Sequence, residues 1–340
     1  MSTQNPMSSV PEKSVVTPKP IQKQSRNFLA HLLGARELGI AVVVLLIMVI
    51  LSLSSPNFFT ASNLAIVARQ VSLSAIIAIG MTLVILLGGI DLSVGSVVAL
   101  GSVIVGYVMV TMAMPIWLSI LIGLLVGVVV GAANGLLIVK TGVPSFIVTL
   151  GMMGLARGAA LVITKGSTIS GLPLSYLEIG QGYVGGYVPI PVIIMVVIAI
   201  AAHIMLSRTT FGRRIYFIGS NQEAARLSGI NVNRITVIVF AMAATMAATE
   251  AVIETARMST AQPASGVGYE LTAIGAVIIG GASMMGGEGT ILGTILGATL
   301  LGLITNGLIL LGVSAYWQQV FSGTIIILAV ALDTWRRNRS

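Results

Sequence analysis

Cysteine is absent from this 340-residue chain, which removes any disulfide framework, thiolate metal site or thiol nucleophile. Histidine is nearly absent: His31 and His203 stand without a second ligand at metal-binding spacing. Charged residues make up only 8%, against roughly 25% in a soluble globular domain, so most of the surface faces something other than water. No G-x-x-x-x-G-K-S/T pattern occurs, so any ATP that drives this system is bound by another chain. No nucleophile–base pair or metal constellation stands out, which argues against an enzyme.

What the chain does have is apolar length. Hydrophobic residues reach 56%, and runs at 38–53, 116–139 and 189–206 approach or exceed the roughly 20 residues that cross a bilayer core as a helix. The 39 glycines suit helices that pack backbone to backbone in lipid. The expectation is an all-α, polytopic integral membrane protein. Ten crossings are expected at about 38–54, 66–87, 94–112, 116–139, 145–164, 188–206, 235–256, 271–284, 290–311 and 316–333.

The net charge of +8 is placed for a membrane and not for nucleic acid. Five Lys/Arg lie in the first 37 residues, five more in a polar island at 207–234, and Arg336, Arg337 and Arg339 near the end. Positive loops mark the cytoplasmic side, and an even number of crossings puts all three groups there, with both termini inside. Residues 1–37 read as a basic cytoplasmic tail, 38–333 as one transmembrane domain and 334–340 as a short tail.

Two Gly-rich breaks interrupt the apolar pattern, Gly88-Gly89-Ile90-Asp91-Leu92-Ser93 and Gly280-Gly281-Ala282-Ser283-Met284-Met285-Gly286-Gly287. Each follows one apolar helix and precedes another, a faint internal duplication. Irregular backbone survives at membrane depth only where it is buried or lines a cavity, so paired breaks point to a transport pathway.

The island holds a helix recipe. Ser220 followed by Glu223 has capping-box spacing, Gly229 supplies a left-handed stop, and about two turns fit between them. Ala224 and Ala225 leave one part of that helix bare enough for another protein to approach closely. Glu223-Ala224-Ala225 followed by Gly229 resembles the EAA-x-x-x-G loop of bacterial ABC importer permeases. Thr210-Phe211-Gly212-Arg213, Gly89-Ile90-Asp91-Leu92-Ser93-Val94-Gly95, Arg257-Met258-Ser259-Thr260-Ala261-Gln262-Pro263 and Asn306-Gly307-Leu308 are similar to the ribose-type sugar permeases in particular.

That resemblance implies a multi-pass protein of the bacterial inner membrane with a coupling helix docked on a cytoplasmic ATPase, through Arg213, Arg214, Glu223, Ala224, Ala225, Arg226 and Gly229. It implies ATP and Mg²⁺ on the ATPase, none on this chain, and a periplasmic sugar-binding protein that delivers ribose or a similar monosaccharide. It also implies a second permease copy. With substrate delivered by a binding protein, the low aromatic content of 5% is unsurprising.

Several polar residues lie in or beside the spans and are candidates for the pathway or its gate: Asp91, Asn134, Glu254, Arg257 and Asn306. Each also has a structural reading. Asp91 suits the N-cap of the next helix, Glu254 and Arg257 an i, i+3 ion pair, and the two asparagines helix-to-helix contacts. The role of Glu250, one turn before Glu254, stays open. Buried carboxylates also fit an alternative, a proton-coupled secondary sugar transporter, but that reading leaves the capped island helix without a use.

Overall fold

A computed structural model describes residues 35–314 together with 316, 317, 320, 323 and 324. Helices dominate, in the order α1 (Ala35–Ser54), α2 (Ala61–Leu86), α3 (Val94–Gly106), α4 (Ile116–Thr141), α5 (Ser145–Thr164), α6 (Leu174–Gln181), α7 (Ile190–Arg208), α8 (Thr210–Ser220), α9 (Gln222–Leu227), α10 (Val232–Met258), α11 (Tyr269–Ile279) and α12 (Ile291–Leu310). A π-helical turn, Tyr107–Thr111, extends α3. Among the described residues eight helices are long and apolar enough to cross a membrane.

The eighth expected crossing is only the 11-residue α11, short because glycines and a loop stand at both of its ends. The tenth, at 316–333, and the basic tails lie almost wholly outside the described residues. A two-stranded hairpin, β1 (Tyr183–Val184) with β2 (Val188–Pro189), was not expected, although its sequence carries the signal. Gly185, Gly186 and Tyr187 connect the strands; both glycines have positive φ, and the Tyr187 amide donates to the Val184 carbonyl at 3.3 Å to close the turn.

Helix α10 is the axis of the bundle, packed by α2, α3, α4 and α6. Its closest neighbour is α4, whose buried face carries Gly123, Gly127, Gly131 and Gly135 at four-residue spacing. A Cβ on Gly131 would sit 2.3 Å from the Phe240 carbonyl, and one on Gly127 would sit 2.6 Å from that of Ala244. The two backbones therefore touch, and side-chain volume on this face of α4 is excluded. Helix α1 packs on α12 at the periphery, with Val44 and Leu51 facing Val67, Val71 and Leu303.

Both Gly-rich breaks are present, at 87–93 between α2 and α3 and at 280–290 between α11 and α12. They lie against each other: the Gly287 amide donates to the Leu86 carbonyl at 2.9 Å. Just past the first break, the start of α3 meets the loop before α11. A Cβ on Gly95 would fall 2.1 Å from the Gly266 carbonyl oxygen.

Candidate coupling and translocation site

The island folds as two helices, not one. Thr209 opens α8 by accepting the Gly212 amide at 3.1 Å. Ile215 and Ile218 are buried on one face of α8, while Arg213, Arg214 and Phe217 are exposed on the other. That burial carries the helix through Ser220, so Ser220 is not the cap of α9; its hydroxyl donates back to the Tyr216 carbonyl at 2.9 Å. The cap is Asn221, in extended conformation, whose Oδ1 accepts the Ala224 amide at 2.9 Å.

Helix α9 has six residues, shorter than the two turns expected. Gly229, at φ 77°, ends it: the Gly229 amide donates to the Arg226 carbonyl and the Ile230 amide to that of Ala225. This is the paired closure of a Schellman motif. The expected bare alanine face needs correction, because Ala225 is fully buried against the bundle. What α9 presents outward is Glu223, Arg226 and Leu227, the last 83% exposed.

Helix α8 connects this corner to both breaks. A Cβ on Gly219 would sit 1.9 Å from the Leu86 carbonyl oxygen and 2.5 Å from the Gly287 nitrogen. The Tyr216 hydroxyl donates to the Gly289 carbonyl at 2.8 Å. Burial pushes the Tyr216 phenol above the ordinary tyrosine range, so it stays a proton donor. Neither residue was singled out from sequence, although the apolar spacing of Phe211, Ile215 and Ile218 around Arg213 and Arg214 is a legible amphipathic signal.

The first break is sheathed by hydroxyls from α5. Ser145 accepts the Ile90 amide and Thr149 the Leu92 amide, each at 3.0 Å. Without them two amides would be unsatisfied in an apolar interior. Asp91 does not cap α3 directly; the cap position is Ser93, two residues on. Asp91 Oδ1 accepts both the Ser93 amide at 2.8 Å and the Ser93 hydroxyl at 2.6 Å. Ser93 Oγ in turn accepts from Asn134 Nδ2 at 3.0 Å. Two of the sequence candidates, Asp91 and Asn134, are thus joined through a serine. Both are fully buried, and Asp91 Oδ2 and Asn134 Oδ1 have no partner. A cavity of about 330 Å³ lies beneath this break, reaching from Gly88, Gly89 and Ser145 to Gln222, Arg226 and Asn233 of the coupling corner.

Arg157 of α5 holds the other junction. Its guanidinium donates to the carbonyls of Pro263 at 2.7 Å, Ser265 at 2.6 Å and Gly95 at 3.4 Å, so it pairs with loop and helix-start carbonyls. Arg69 donates to the Gln181 carbonyl at 2.5 Å and lies over the Tyr183 ring at 4.4 Å.

The end of α10 remote from the island carries Glu250, Glu254 and Arg257, one turn apart along one stripe. Glu254 takes its hydrogen bond from Tyr269, whose hydroxyl donates at 2.7 Å to Oε1. Arg257 stands within electrostatic reach of both glutamates. Asn306 is placed elsewhere: it exchanges amide hydrogen bonds with Asn63, at 2.8 and 3.2 Å, and joins α12 to α2.

Comparison with known proteins adds relatives over most of the chain. The ribose import permease protein RbsC of Bacillus subtilis is 44% identical over 315 residues, covering 92% of this chain and 97% of its own length. The corresponding protein of Escherichia coli is 45% identical over 302 residues, covering 86% and 92% respectively. The D-allose transport system permease protein AlsC of Escherichia coli is 36% identical, covering 86% and 89%. No solved structure matches the chain. The family described as branched-chain amino acid transport system / permease component matches residues 63–330. A bundle with eight helices long and apolar enough to cross a membrane among the described residues, two paired breaks and this match over most of its length is a multi-pass transport permease, and the chain belongs to that family of permease components.

Proposed function

We propose that this chain is the membrane-spanning subunit of an ATP-driven, binding-protein-dependent importer of ribose or a similar monosaccharide. The observation that carries this reading is the wiring of the α8–α9 corner into both breaks through Gly219 and Tyr216. A secondary transporter has no need of an exposed, capped helix pair bonded to the interruptions of its pathway. The names of the relatives support the substrate class.

In this reading a cytoplasmic ATPase, which holds ATP and Mg²⁺, seats α9 in a groove. Glu223, Arg226 and Leu227 make the contact, Arg213 and Arg214 flank it, and Ala224, Ala225 and Gly229 set the helix's fit and end. Movement of α9 passes along α8 to Leu86 and Gly287–Gly289, which reorients the two helix–break–helix units by alternating access. Asp91, Asn134, Glu254 and Arg257 belong to the pathway or its gates, while Asn306 is a helix-to-helix contact. A periplasmic sugar-binding protein delivers substrate to the face opposite the island. Two copies of the chain, each with ten crossings and cytoplasmic termini, complete the pore in the inner membrane.

Uptake of labelled ribose into proteoliposomes tests the reading. The expected result is dependence on the partner ATPase, hydrolysable ATP and the binding protein. Uptake driven by a proton gradient alone would overturn it. Glu223→Lys is expected to abolish ATPase co-purification while membrane insertion is unchanged.

A further inference from the structure

The stripe on α10 runs from partly exposed Arg257, through partly exposed Glu254, to fully buried Glu250. At 1.5 Å per residue its length is about 10 Å. Tyr269, the first residue of α11, faces it and donates to Glu254 Oε1. Both oxygens of Glu250 and the second oxygen of Glu254 lie buried with no hydrogen-bond partner. A carboxylate in an apolar interior is normally paired or fully hydrogen-bonded, and a residue that departs from this marks function more often than packing. Three carboxylate oxygens one turn apart on α10 are therefore without a donor.

The chemistry of the missing donor can be narrowed. Among the described residues no group of three His, Cys, Asp or Glu could hold a metal ion. Arg257 adds a positive charge to the same stripe, which opposes a cationic ligand. The carboxylate oxygens without partners are thus left for a neutral ligand rich in hydroxyl donors. Adjacent hydroxyls of a monosaccharide match a carboxylate's two oxygens.

We propose that Glu250, Glu254 and Tyr269 form a hydroxyl-binding subsite on the pathway, which takes vicinal hydroxyls of the transported sugar as it passes the end of α10 remote from the coupling corner. The proposal rests on the sugar-importer reading. The subsite is closed in this structure, since Glu250 has no exposure. Tyr269 stands at its entrance, just after the left-handed Gly266 and Gly268 of the loop that leads into α11. Parting of α11 from α10 admits the sugar, and the glutamates replace hydration lost on entry.

The test uses the reconstituted permease–ATPase complex with its binding protein, and D-ribose as probe. Glu250→Leu removes an unpartnered buried carboxylate, so a merely structural role predicts a protein at least as stable with unchanged uptake. The subsite predicts unchanged or higher thermal stability, unchanged basal ATPase activity, and uptake reduced about ten- to a hundredfold, the size of a lost charged hydrogen bond. Glu254→Gln and Tyr269→Phe are expected to reduce uptake in the same direction.

A second readout does not require transport. Ribose added to the permease in nanodiscs is expected to perturb a carboxyl infrared band that is missing in Glu250→Gln. Wild-type uptake in Glu250→Leu, or a loss matched by a fall in stability, overturns the subsite; so does a ribose difference spectrum that Glu250→Gln leaves unaltered. Restoration of uptake by sodium would assign the acceptors to a cation instead, which also overturns it. Uptake by the wild-type complex without ATP overturns the importer reading and leaves the spectrum to decide on the subsite.

Discussion

Gly219 lies over a hydrogen bond that ties the two breaks together, the one from the Gly287 amide to the Leu86 carbonyl. The three segments meet backbone to backbone. The end of the helix before the coupling corner is thus in direct contact with both interruptions of the bundle.

Any side chain at 219 must push these backbones apart. Gly219→Ala is expected to destabilise by about 1–3 kcal/mol, the usual range for overpacking. Its larger effect falls on coupling: uptake is expected to drop at least about tenfold while the complex still assembles and hydrolyses ATP. Parallel assays of ATPase activity and uptake check this, and tight coupling at wild-type yield would count against the contact as a transmission point.

The reassigned cap makes a contrast between neighbours. Asn221→Ala removes the acceptor of the Ala224 amide and is expected to cost about 1 kcal/mol of α9 stability. Ser220→Ala removes only a back-bond to Tyr216 and is expected to lie within about 0.5 kcal/mol of wild type. Affinity for the ATPase, measured by titration in detergent, should fall for the first and stay level for the second.

Asp91 separates the effect of charge from that of hydrogen bonding. Asp91→Ala leaves the Ser93 amide and hydroxyl without their acceptor in a buried site, with an expected loss of about 1–3 kcal/mol. Asp91→Asn retains an acceptor for Ser93 and can turn an amide donor toward a neighbouring acceptor, so its melting temperature is expected near wild type. Thermal melts of the purified permease distinguish the two, and equal losses would refute the hydrogen-bond account.

The Asn63–Asn306 pair is expected to behave as a unit. Each single leucine substitution strands one buried amide, whereas Asn63→Leu with Asn306→Leu removes both. A double-mutant cycle on stability should give a coupling of about 0.5–2 kcal/mol. Additive effects would show that the two amides act independently.

The sequence made the spans, the two breaks and the coupling segment legible, because each has a local signature in apolar run length, glycine clustering or cap spacing. It misplaced what depends on distant contacts. Ser220 and Asn221 are both competent caps, and the choice falls to Asn221 only because Ile215 and Ile218 bury against the bundle and extend α8. Ala225 looked free because its neighbour in the folded chain is not its neighbour in sequence. Asn306 finds Asn63 across 243 positions, and Glu254 finds Tyr269 on another helix. No spacing rule reveals such partners. The exposed face of α9 was likewise hidden, since a six-residue helix has too few positions for its periodicity to be read.

Arg157 gives the α10 axis a further property. Its guanidinium gathers Gly95, Pro263 and Ser265 at one level of the bundle, while Gly287 and Leu86 are bonded at another. The α2–α3 and α11–α12 units are fastened to each other twice, and two fastenings remove the freedom to pivot at either one. In the coupling reading proposed above, a push entering through α8 would therefore turn these four helices together instead of hinging one unit against the other.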